Sequence, residues 1–105
     1  MPHVPPGFRF DIRGIVQGVG FRPWIFRLAH EHGLTGRVWN HAAGVTIEVF
    51  GAEAALSRFE RALDDAPPAA HIDAVERVPL HGVEAPPEFT ITGSAASDER
   101  LVSIP

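Results

Sequence analysis

Residues 8–29 read FRFDIRGIVQGVGFRPWIFRLA, and the change of period inside this stretch decides the fold. Over residues 8–15 Phe8, Phe10 and Ile12 fall on one face and Arg9, Asp11 and Arg13 on the other, the period of a half-buried strand. Val16-Gln17-Gly18-Val19-Gly20 is a glycine-punctuated loop. From Phe21 the period becomes helical: Phe21, Ile25, Leu28 and Ala29 share one stripe, with Trp24 beside it. Pro23 lies in the first turn, where its missing N–H is tolerated. Gly33 stops the helix after His30 and His32 at its negative end.

Working outward, TGRVWN (35–40) is a short strand, HAAG (41–44) a turn and VTIEVFG (45–51) a second strand with Val45, Ile47 and Val49 on one face. Together they make a hairpin with a four-residue connection. Residues 52–65 read as a second helix, with Ala52, Ala55 or Leu56, Phe59 and Leu63 as its buried stripe, ended by Ala66-Pro67-Pro68. Ile72, Val75 and Val78 mark an irregular strand around IDAVERV. The turn-rich HGVEAPP then leads to a last alternating piece, Phe89 to Thr92. Two strand-helix-strand units with right-handed crossovers, joined by a hairpin, predict an α+β fold. It is a ferredoxin-like split βαβ sandwich, an antiparallel sheet with both helices on one face. Residues 1–7, MPHVPPG, read as a flexible lead-in and 8–92 as the domain. From 93 to 105, small and polar residues give way to apolar LVSIP, read as a linker to an absent downstream domain rather than an ordinary ragged end.

With 105 residues, 45% of them hydrophobic and 21% charged, the chain suits one globular domain and not disorder. It has no cysteine, which removes disulfides, thiolate metal sites and a cysteine nucleophile at once. No basic start with a long apolar run appears and no apolar stretch could span a membrane, so the expected location is cytoplasmic, with no membrane partner. The net charge is −4 and all 9 cations are arginine, a balance that argues against nucleic acid as a partner but not against one arginine holding one small anion.

The candidate site follows from the loop. Two glycines in the loop Gln17 to Phe21, between a strand and a helix start, let consecutive main-chain N–H groups turn inward as an anion-binding nest at a positive helix end. Arg22, in the first turn, can grip two phosphate oxygens with its planar fork. Spacing alone leaves a tight turn with a solvated arginine as the other reading. Neither GxxxxGK followed by Ser or Thr nor GxGxxG with its acidic partner is present, which excludes those nucleotide loops. Asn40, at the end of its strand, either stabilises the hairpin turn or positions a water for attack on a phosphorus held by Arg22. His30 and His32 do not share a helix face, and His41, His71 and His81 are scattered, so no metal site is expected.

The blocks Gly14-Ile15-Val16-Gln17-Gly18-Val19-Gly20-Phe21-Arg22 and Gly36-Arg37-Val38-Trp39-Asn40, followed by Gly44-Val45, resemble the signature of acylphosphatases. The resemblance implies that Arg22 and the loop amides of residues 17–22 bind the phosphate of an acyl phosphate, and that Asn40 orients the nucleophilic water. FRPWIFRLA (21–29) and PPAAHIDAVE (67–76) are similar to the amino-terminal domain of the hydrogenase-maturation carbamoyltransferases of the HypF family. This narrower resemblance implies hydrolysis of carbamoyl phosphate to carbamate and phosphate, with no cofactor in this domain. It also implies partnership with downstream domains and with a hydrogenase maturation protein. The chain departs from stand-alone acylphosphatases at His41, where threonine often stands, and in having no tyrosine. A non-catalytic phosphate-binding or domain-docking module on the same fold is the alternative.

Overall fold

The structure, a computed structural model, describes residues 5–18 and 20–93. Its elements run β1 (Gly7–Ile15), α1 (Phe21–Glu31), β2 (Thr35–His41), β3 (Gly44–Phe50), α2 (Glu53–Ala62), a 3-10 turn (Leu63–Asp65), β4 (His71–Leu80) and β5 (Phe89–Ile91). The sheet order is β4-β1-β3-β2-β5. Each crossover helix therefore joins two parallel strands with one antiparallel strand between them, which is the split βαβ arrangement the periodicity predicts.

Alternation along the strands places Phe10, Ile12, Val38, Val45, Ile47 and Val49 on one face, all essentially without solvent exposure. Against them pack Phe21, Ile25, Leu28 and Ala29 of α1 and Ala55, Leu56 and Phe59 of α2. Burial of these side chains is the main driving force for the fold. The opposite face carries charge: Glu48 lies 3.7 Å from both the Arg9 and the Arg37 guanidinium groups, and the Thr46 hydroxyl donates to Asp11 at 2.6 Å. Among the described residues no helix is long and apolar enough to cross a membrane.

The structure differs from the sequence-based expectation in several places. The sheet is mixed, because β5 pairs with β2 in parallel, Gly36 opposite Phe89 and Val38 opposite Ile91. The segment after β4 stays at the end of the sheet where β4 stops, so β5 runs opposite to β4 and along β2. The hairpin connection is two residues, Ala42 and Ala43, because His41 and Gly44 still pair across the ladder. The second helix ends its α-helical part at Ala62, and Ala52 is an exposed N-cap rather than part of the buried stripe. β4 is longer than its pattern suggests, since it follows β1 from Leu80 opposite Gly7 to His71 opposite Ile15, past a bulge at Arg13/Gly14. As an edge strand exposed over most of its length, it has no clean alternation to read. β1 already includes Gly7, and the Pro6 carbonyl accepts the Gly51 N–H at 3.1 Å. The expected linker falls, from residue 94 onward, outside the described residues, as do residues 1–4 of the lead-in.

Gly44 opens β3 with φ 149°, and a Cβ there would overlap the main-chain carbonyl of Ile12. Neither strand can yield without breaking the central pairing. Gly44→Ala is expected to destabilise the fold by about 2–3 kcal/mol, the scale for a strained non-glycine conformation. A denaturant midpoint indistinguishable from wild type would refute this.

Candidate active site

The site forms at the end of the sheet where β1 stops and β2 turns into β3. Val16, 1% exposed, anchors the chain after β1, and Phe21, also 1% exposed, anchors the first turn of α1. Between these two pegs Gly18 and Gly20 take left-handed φ values of 75° and 77°, which a side-chain-bearing residue adopts only at a cost. Gly20 is the N-cap of α1 and offers no capping side chain, and the first turn carries no acidic residue. Pro23 has no N–H, and the Trp24 N–H is used by the Gly20 carbonyl at 3.2 Å. Among the described residues, the main-chain N–H groups of Gln17, Gly18, Gly20, Phe21 and Arg22 have no protein acceptor. Unpaired donors at and just before a helix N-terminus are able to receive an anion. Val19, the remaining loop residue expected from sequence, lies outside the described residues.

Two ties join this loop and helix to β2. Arg22 is half-buried, and its Nη1 donates to the Thr92 carbonyl at 3.2 Å. Thr92 in turn donates through its main-chain N–H (2.9 Å) and its hydroxyl (3.3 Å) to the carbonyl of Val38. The second tie is Gln17, whose Nε2 donates to the carbonyls of His41 at 2.7 Å and Gly44 at 3.1 Å. Val38 and His41 flank Asn40 on the same strand, so both ties converge on its neighbourhood. By alternation Asn40 shares the face of Val38, the face that α1 covers.

The Asn40 carbonyl oxygen is buried and, among the described residues, has no hydrogen-bond partner. Such an atom is rare in a folded chain and demands an explanation, a water or ligand being the common one. One end of the sheet thus gathers main-chain donors, a forked cation and an unpaired acceptor. Donors and cation suit a tetrahedral oxyanion, and an acceptor suits an attacking water. His41 serves the turn instead, its Nδ1 accepting the Ala43 N–H at 3.1 Å.

The two catalytic candidates named from sequence, Arg22 and Asn40, are brought to one end of the domain by these ties. Sequence reasoning misses Thr92 and the side chain of Gln17. A carbonyl gives no residue-type signal, and the parallel placement of β5 that brings Thr92 to Arg22 depends on long-range pairing. Grooves lined by Leu63, Pro67, Ile72 and Val75, and by Pro6, Phe8 and Leu80, take no part of their lining from Gln17, Arg22 or Asn40. No group of three or more metal-ligating side chains gathers among the described residues.

The family model for Acylphosphatase matches residues 8–91. Over 91 residues, 86% of the chain, the sequence is 46% identical to carbamoyltransferase HypF2 of Cupriavidus necator, of which the match spans 11%. It is 44% identical over 78 residues to an acylphosphatase of Caldivirga maquilingensis, covering 72% of this chain and 82% of that protein. A crystal structure of full-length HypF in its phosphate- and nucleotide-bound form superimposes with a TM-score of 0.79 at 37% identity, covering 90% of this chain and 13% of that one. The chain therefore spans only about a tenth of the length of the carbamoyltransferases it matches. Both resemblances read from the sequence, to acylphosphatases and to HypF carbamoyltransferases, are found. With the family model matched over residues 8–91, nearly all of the paired strands, the chain belongs to the acylphosphatase family.

Proposed function

We propose that this chain hydrolyses an acyl phosphate, above all carbamoyl phosphate, to the carboxylate and inorganic phosphate, and that in a longer cytoplasmic carbamoyltransferase this is the first step of carbamoyl transfer for nickel-iron hydrogenase maturation. The observation that carries the reading is the buried, unpartnered Asn40 carbonyl oxygen between the two ties to the loop and Arg22. That oxygen accepts a hydrogen bond from the attacking water and so leaves a water lone pair directed at phosphorus. The Arg22 guanidinium and the loop amides neutralise the three equatorial oxygens as the water oxygen bonds to phosphorus. The bond from phosphorus to the acyl oxygen breaks, its electron pair leaving with the carboxylate. Both protons of the attacking water remain with the product, which forms as dihydrogen phosphate.

A carboxylate is a good leaving group, so positioning and electrostatics suffice and no strong base, metal or cofactor is needed. The preference for carbamoyl phosphate is supported by the identity shared with carbamoyltransferases. The carbamate formed would pass to further domains of the longer protein, and the carbamoyl group from there to a hydrogenase maturation partner.

Phosphate release from carbamoyl phosphate and from acetyl phosphate, with spontaneous decay subtracted, tests the proposal. Release above background from both, with the higher kcat/KM for carbamoyl phosphate, is expected. Saturable binding of inorganic phosphate with no turnover of either substrate would overturn it in favour of a binding module.

A further inference from the structure

We propose that the Gln17 side chain is a positioning residue for this reaction: it clamps the phosphate loop to the β2–β3 hairpin and so sets the loop amides against Asn40. The inference rests on the reading of the site given above. A carboxamide nitrogen has two N–H groups, and both are used here, by the His41 carbonyl at 2.7 Å and the Gly44 carbonyl at 3.1 Å. These carbonyls belong to the two residues that close the hairpin, one of them adjacent to Asn40. A single side chain therefore bridges the loop after β1 to both strands of the hairpin at once.

At Gly18 and Gly20 the loop has little else to hold it. A Cβ added at Gly18 or Gly20 would meet no atom within 4 Å, so no neighbour packs against the loop there. Glycines have the widest choice of backbone conformation, and two of them in a loop without packing would let its amides swing. Val16 and Phe21 fix the ends, and between them, among the described residues, the Gln17 side chain supplies the hydrogen bonds to the hairpin. The hairpin is a firm anchor, since the Ala43 N–H bond to His41 Nδ1 fixes the turn from within. Misplacement of a positioned group by about 1 Å can cost about 10²-fold in rate, so the clamp bears on catalysis without touching substrate.

Gln17→Leu keeps the bulk and removes both donors; Gln17→Glu keeps the shape and puts oxygen where the donors stood. Gln17 is exposed, so neither change opens the core. In both variants the Gly18 and Gly20 amides are expected to fall from an NMR order parameter of about 0.85 to below about 0.6. Gln17→Leu should also weaken inorganic phosphate binding about 10-fold and lower kcat by about 10 to 10²-fold, beside only the modest drop in unfolding midpoint that two lost hydrogen bonds give. A merely structural role would move the midpoint and leave loop order and kcat alone, and that result, or wild-type loop order in both variants, overturns the clamp. If wild-type protein turned over no acyl phosphate, the reading of the site would fall, and loop order with phosphate affinity would still decide the clamp separately.

Discussion

Arg22→Ala is expected to lower the turnover of an acyl phosphate by about 10³-fold and to leave the domain folded. Removing one preorganised donor from a site of developing negative charge costs about 10² to 10³ in rate, and an arginine aimed at a transferring phosphoryl group sits at or above the upper end. Arg22 is held in place for this role, because its Nη1 bond to Thr92 orients the fork and the start of α1 adds partial positive charge on the same side. The folded state loses one hydrogen bond, a net contribution of about 0.5–1.5 kcal/mol, while Phe21 and Ile25 keep the helix seated. Arg22→Lys should recover only a small part of the rate, because an ammonium group cannot form the two parallel bonds of the guanidinium fork. Wild-type kcat in Arg22→Ala, with an unchanged circular dichroism spectrum, would remove Arg22 from the reaction.

Asn40→Ala is expected to reduce kcat by about 10²-fold while the inhibition constant of inorganic phosphate stays within a factor of about two. The two numbers separate because the Asn40 oxygen is assigned to the water and the loop to the phosphate. Stability should move in the opposite direction to activity, or not at all. An acceptor that is desolvated and unpartnered already destabilises the folded chain, so deleting it offsets part of the packing lost with the side chain. A thermal midpoint equal to or above that of wild type, beside a large loss of kcat, is the expected signature of a group kept for function. An equal loss of phosphate affinity and kcat would instead make Asn40 a ligand of the phosphate.

Much of the fold and the site is legible in the residues. The switch from alternation in Phe8, Phe10 and Ile12 to helical spacing in Phe21, Ile25 and Leu28 is a local signal, and the same residues line the inner faces of β1 and α1, with Phe8 at the margin of the core. Gly18 and Gly20 mark the loop for the same local reason, their left-handed backbone. What escapes depends on contacts between distant segments. The direction of β5 is fixed by where β4 ends and by pairing with Gly36 to Val38, which no local period encodes. The two-residue turn at Ala42 and Ala43 arises because the ladder continues to His41 and Gly44, although neither turn residue is a strong turn former. Sequence points to Gln17 only through its main-chain N–H, because glutamine after a strand carries no distinctive signal. Its reach across 24 residues to His41 exists only once the hairpin is folded beside the loop.

A site that directs water to phosphorus fixes which bond of the acyl phosphate breaks, and isotope labelling reads that position. Acetyl phosphate hydrolysed in oxygen-18 water, by an amount of protein that makes spontaneous decay negligible, should give inorganic phosphate carrying one solvent oxygen and acetate carrying none. Label in the acetate would mean that water attacks the carbonyl carbon, and the roles given to Arg22, the loop amides and Asn40 would be contradicted together.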